Sequence, residues 1–220
     1  MPEIYLQVIE GNGIIKGTPS YTALPKGFGP RHMAITTNLK GDQKAYVLNE
    51  KMPFITIFQL NRNTGELTQQ YNVETLPANQ YTDSGEYGSE IVLHPSENWL
   101  YVSHRGTGSI IVYAILADGL LKRIQVDNIR ISCFFIFHKK IYSLLRNIDQ
   151  LNSITIFTQV QLTSGTWPRH FTLSKSGKLM FVALQKKNLI DVFKIDQKNG
   201  TLSRLKTIDS PNSPAFVGIF

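Results

Sequence analysis

The 220-residue chain has one cysteine, Cys133, so it can form neither an internal disulfide nor a cysteine-rich metal site. A lone thiol suits a reducing compartment, and the cytoplasm is the expected location. No stretch approaches the ~18 apolar residues that span a bilayer, and residues 1–11 lack the basic start and apolar run of a leader. Neither membrane attachment nor export is therefore expected. Clustered basic charge is missing too: the net charge is +7, but no run of five or six Lys or Arg occurs. Nucleic acid is not an expected partner, whereas attraction for small anions fits the same charge. There is no Gly-x-Ser-x-Gly elbow, no His-Glu-x-x-His zinc helix and no glycine-rich phosphate loop. His94, His104 and His138 are too scattered for a metal triad, so no metal and no cofactor are expected.

What the chain does have is an internal repeat. Pro30-Arg31-His32-Met33-Ala34-Ile35 is followed by the strand-like runs 45–50 and 55–60 and by Asn63-Thr64-Gly65-Glu66-Leu67. The same order returns as Pro168-Arg169-His170-Phe171-Thr172-Leu173, then 180–185, 190–195 and Lys198-Asn199-Gly200-Thr201-Leu202. A third copy lies between them, beginning at Gly88-Ser89-Glu90-Ile91-Val92-Leu93 and passing through Leu100-Tyr101-Val102-Ser103-His104-Arg105. Short β-branched and aromatic runs separated by Ser176-Gly177 and Asn199-Gly200 turns, repeating at roughly 40 to 50 residues, predict four-stranded propeller blades.

The period fails once. Tyr101 and Phe181 hold equivalent places yet stand 80 residues apart, where one blade takes about 45. The excess is Val126 to Gln159, 34 residues that include Ser132-Cys133-Phe134-Phe135-Ile136-Phe137 and show no strand alternation. Without it the spacing falls to 46. Valine codons begin GT and glutamine can be CAG, so the segment reads as translated intron lying outside the blade sheets. The alternative is a genuine loop insertion, although one of this length without structure of its own is unusual.

Gly29-Pro30-Arg31-His32-Met33-Ala34, the strand end Leu48-Asn49-Glu50, Tyr101-Val102-Ser103-His104-Arg105-Gly106 and Gly165-Thr166-Trp167-Pro168-Arg169-His170-Phe171 together resemble the lactonase-type seven-bladed β-propellers. That family includes 6-phosphogluconolactonase-like hydrolases and carboxymuconate-lactonizing enzymes. The resemblance covers about residues 4–125 and 160–220 and implies an all-β fold. It also implies an incomplete ring, about three full blades plus partial end blades, because a whole member has seven in about 330 to 380 residues. Ile4-Tyr5-Leu6-Gln7-Val8 and Asn12-Gly13-Ile14-Ile15 read as outer strands, and Ser213 to Phe220 resembles the family's closing strand.

The activity implied is hydrolysis of a sugar lactone, 6-phospho-D-glucono-1,5-lactone to 6-phosphogluconate, as in the pentose phosphate pathway. The fragment alone is expected to be nearly inactive. Such chemistry needs a base for water and cations or N–H groups for the developing oxyanion. His32 and Glu50 are candidates for base or base-orienter, and Arg31 and Arg169 for charge stabilisation. Glu90, His104, Arg105 and His170 are the candidate substrate-binding residues. A structural reading stands beside each: Pro-Arg-His can equally be a blade-stitching motif, and Trp167 reads as packing more than as a sugar platform. The other readings of the whole are a carboxy-cis,cis-muconate cyclase-like isomerase, or a non-enzymatic propeller whose arginine-rich mouth binds a protein or an acidic metabolite. Oligomeric state is left open.

Overall fold

A computed structural model of the chain describes residues 3–9, 15–37, 43–76, 88–125, 161–165 and 167–219. Asn79 to Tyr87, which separate the first two copies of the repeat, and Val126 to Gln159, with Cys133 and His138, lie outside the described residues. The described part is all-β.

Three antiparallel four-strand meanders form three blades. The first is β3 (Pro30–Ile35), β4 (Gln43–Asn49), β5 (Phe54–Leu60) and β6 (Leu67–Glu74). The second is β7 (Gly88–Leu93), β8 (Trp99–His104), β9 (Ser109–Ile115) and β10 (Leu121–Gln125), with the short β11 (Gln161–Leu162) also paired to β9. The third is β12 (Pro168–Leu173), β13 (Leu179–Leu184), β14 (Leu189–Ile195) and β15 (Leu202–Asp209). A hairpin of β1 (Glu3–Ile9) and β2 (Ile15–Ala23) precedes them. β1 matches the expected strand at Ile4–Val8, whereas Asn12 to Ile14 fall outside the described residues.

Side-chain alternation explains why these sheets stack face to face. Successive residues of a strand point to opposite faces, so β8 sends Leu100 and Val102 toward the first blade and Trp99 and Tyr101 toward the third. The first interface buries Tyr46, Leu48, Ile55, Ile57, Ile111 and Tyr113; the second buries Ile110, Val112, Phe171, Met180, Val182 and Phe193. Strands β4 and β8 are consequently buried along their whole length, while the outer strands β6 and β15 are exposed beyond their first residue but for a half-buried Val73.

Polar stitches repeat at the same interfaces. The Tyr46 hydroxyl donates to the Gly119 carbonyl, and the Tyr101 hydroxyl to that of Gly200, each at 2.9 Å and each in the next blade's outer turn. Buried His94 does likewise: its Nε2 stands 3.0 Å from the Gly177 carbonyl oxygen and its Nδ1 2.8 Å from Ser96 Oγ. That places His94 in a structural role.

Ser213 to Ile219 are not paired as a strand. A strand needs a partner edge, and among the described residues none pairs with this segment.

Candidate functional site

The inner strands β3, β7 and β12 lie side by side, and their second and third residues gather at one place. The Nε of Arg31, second in β3, donates to the Ser89 carbonyl at 2.8 Å, and the hydroxyl of Ser89, second in β7, donates to the Arg169 carbonyl at 2.6 Å. Three blades are thus joined through one register position. Arg31 therefore does perform the stitching that the repeated motif allows.

Glu50, just after β4, collects two cations. Its Oε1 accepts from Arg105 Nη2 at 2.6 Å and from Arg31 Nη1 at 3.4 Å. Burial pulls the Glu50 carboxyl upward, but the Arg105 and Arg31 guanidiniums outweigh that pull and hold it below its ordinary value. A carboxylate so engaged is a weak base. Its chemistry here is to hold two guanidiniums, with their remaining N–H groups, in fixed positions.

The second cluster is centred on Glu90, third in β7, whose side chain is only 9% exposed. His32, third in β3, places Nδ1 2.7 Å from Glu90 Oε1, and His170, third in β12, places Nε2 3.4 Å from Oε2. The Ile91 N–H also donates to Oε1 at 3.0 Å. A carboxylate bonded to Nδ1 fixes the proton there and leaves Nε2 with its lone pair. The His32 side chain is 40% exposed, so that nitrogen belongs to an imidazole open to solvent. Burial lowers the His170 imidazole below its ordinary value; Glu90 pulls the other way, and His32 adds to the lowering.

The remaining candidates separate by position. Arg169 is half-buried, and its guanidinium makes no hydrogen bond or ion pair among the described residues. His104 has no exposed surface, so it sits inside the sheet stack and is not placed to meet a substrate. Trp167 adopts a φ of +72°, unusual for a bulky residue. It is held there because its N–H donates to the Arg105 carbonyl and its own carbonyl accepts from the Gln185 N–H. Lys186 Nζ lies 3.3 Å from the Trp167 ring centroid and Arg105 Cζ 5.7 Å, so cations occupy the surroundings of this ring. Ser89 was not singled out from sequence. The available signal was its alignment with Arg31 and Arg169, where a small hydroxyl replaces a long cation.

A family profile described as "Lactonase, 7-bladed beta-propeller" matches residues 3–132 and 143–218. The chain belongs to this lactonase family. Among curated relatives, the 6-phosphogluconolactonase of Yersinia pestis (strain Pestoides F) is 26% identical over 193 residues, 88% of this chain and 46% of the relative. The 6-phosphogluconolactonase of Pectobacterium atrosepticum matches to the same extent. The chain therefore spans about half the length of these lactonases. Of solved structures, a Lactobacillus plantarum protein superposes with a TM-score of 0.72 at 25% identity, covering 96% of this chain and 50% of that one. The periplasmic gluconolactonase of Pseudomonas aeruginosa gives 0.65 at 20% identity, covering 88% and 43%.

Proposed function

We propose that these blades carry half of the active site of a sugar-lactone hydrolase acting on 6-phosphogluconolactone. The observation that supports this most directly is the His32–Glu90 pair, an exposed imidazole backed by a buried carboxylate. In the reaction, His32 Nε2 takes a proton from water as the oxygen attacks the lactone carbonyl carbon. The tetrahedral oxyanion is stabilised by guanidinium N–H groups of Arg31 or Arg105, which Glu50 holds in place. When the ring C–O bond breaks, the imidazolium returns its proton to the departing ring oxygen, and the open acid is released. Arg169 is the cation left to meet the substrate phosphate. The phosphorylated substrate favours a cytoplasmic setting.

The test is hydrolysis of 6-phosphogluconolactone by the chain supplied with N-terminal blades to the length of its relatives and lacking Val126 to Gln159. Turnover above the spontaneous rate is expected. A fully folded ring that leaves the lactone at its spontaneous rate would overturn the reading and favour a non-enzymatic binding role.

A further inference from the structure

The end of the chain repeats the entry to an inner strand. Gly29 (φ +62°) precedes Pro30-Arg31-His32, Trp167 (φ +72°) precedes Pro168-Arg169-His170, and Ser213 (φ +57°) precedes Pro214-Ala215-Phe216. A left-handed residue followed by proline is a costly signature for Trp and Ser, and here it marks the same turn three times. By this register Phe216 takes the seat after His32, Glu90 and His170. The contacts agree: the Phe216 and His170 ring centroids are 4.2 Å apart, and the Val217 N–H points to His170 Nδ1 at 3.4 Å.

We propose that Phe216 and Val217 are positioning residues of the site, fixing His170 with its proton on Nε2, the nitrogen that faces Glu90. A backbone N–H can only donate, so Nδ1 must accept, and a neutral imidazole then carries its single proton on Nε2. That nitrogen faces Glu90 Oε2 at 3.4 Å, while Oε1 takes the His32 Nδ1 proton at 2.7 Å. The tail thereby acts through His170 and Glu90 on the imidazole that the lactonase reading makes the base. The inference rests on that reading for its purpose but not for its test.

Imidazole nitrogen shifts measured by NMR on the full chain at a pH where histidines are neutral should show His170 protonated at Nε2 and bare at Nδ1. Val217→Pro removes the donor and should give a tautomer mixture; Phe216→Ala should do so in part, and Phe216→Tyr should retain the parent state. A chain ending at Ser213 guards against a local disturbance by the proline and should match Val217→Pro. The proposal fails if His170 carries its proton on Nδ1, or if its tautomer is the same in all these chains. Turnover does not enter, so an inactive protein with the fixed tautomer would count against the lactonase reading alone.

A second inference stands on strand register. In the first blade Leu67–Glu74 pairs with β5 over eight residues, with Gln70 extra at a bulge; in the third, Leu202–Asp209 pairs with β14 over eight, with Leu205 extra. In the second blade Leu121, Lys122, Arg123 and Gln125 face Ile115, Ala114, Tyr113 and Val112, with Ile124 extra; Gln161 and Leu162 face Ile110 and Ser109. The bulge is the fourth residue each time. Only the place opposite Ile111 lies between β10 and β11. Joining Gln125 to Val160 would supply one residue for it and yield the same eight-residue strand.

The family profile runs to residue 132 and resumes at 143, leaving only 133–142 unmatched; on the strand register we nevertheless infer that all of Val126 to Gln159 is foreign to this fold and that the functional protein has one continuous outer strand here. Val126 can supply the GT that opens an intron and Gln159 the AG that closes one, so an in-frame segment of 34 codons can be removed between Gln125 and Val160. Deleting residues 126–159 should raise the melting temperature by about 5 °C or more, since β10 and β11 no longer have to be brought together across 34 extra residues. Deleting 126–158 leaves Gln159 in the strand and turns each following side chain to the other face; it should melt several degrees below the exact deletion. Equal melting of the two deletions, or an exact deletion less stable than the parent, would overturn the inference. Transcript sequencing should find messages lacking these codons as the major species.

Discussion

Arg105 and Glu50 meet at 2.6 Å across a blade interface, Arg105 following β8 and Glu50 following β4. The pair lies near the inner strands, where Arg31 of the first blade also reaches Glu50. It links the charge of the site to the packing of two sheets.

That link has a pH signature. The Glu50 carboxyl is held below its ordinary 4.5. A depressed acid stabilises the fold above its unfolded value, and that contribution is lost as the pH falls through the folded value. Glu50→Gln should therefore melt below the parent at pH 7, and the gap should close as the pH falls through the folded value, which lies below 4.5. A gap unchanged from pH 7 to pH 3, read by thermal melts, would show that the ion pairs contribute nothing.

The two tyrosine stitches should behave as independent units. Tyr46→Phe and Tyr101→Phe each leave a carbonyl, Gly119 or Gly200, without its donor, at a cost of about 1–2 kcal/mol. They serve different interfaces, so the double variant should lose the sum within about 0.5 kcal/mol. Chemical denaturation of the four proteins checks both statements.

Gly200 and Gly27 separate backbone strain from crowding. Both have positive φ, +76° and +95°, but a Cβ on Gly200 would lie 2.4 Å from Trp99 Cγ, whereas one on Gly27 meets nothing within 4 Å. Gly27→Ala should cost about 1–2 kcal/mol, the strain alone. Gly200→Ala should cost at least about 2 kcal/mol more, because the buried indole has to move. Equal losses in denaturation would refute the packing account.

For catalysis, the decisive variants are His32→Ala and Arg169→Ala in the chain lengthened with N-terminal blades. Each should lower kcat/KM for 6-phosphogluconolactone by ~100-fold or more, His32→Ala through loss of proton transfer and Arg169→Ala through loss of the cation that holds the substrate phosphate. Glu90→Gln should give a smaller loss, because it loosens the hold on the His32 ring without removing the base. Variants that keep near-normal turnover while losing thermal stability would assign these residues to blade stitching instead.

The repeat, the blade class and the broken period were legible in the sequence because strand alternation and turn residues are local, and three copies of a pattern reinforce one another. His32, Glu90 and His170 were each identifiable as candidates from their place in the repeat, but not as one cluster. Their meeting depends on how β3, β7 and β12 pack side by side, across separations of 58 and 80 residues. The same holds for Glu50. Its position after a strand marked it as a candidate base, and only the two arginines brought to it from different blades made it a holder of cations. His104 shows the reverse: its neighbours in sequence resemble site residues, yet the face on which β8 places it is covered by the stack. Periodicity along the chain therefore determined which residues belong to equivalent strand positions. The tertiary structure decided which of those positions share a wall, because desolvation and charge pairing act through space between blades.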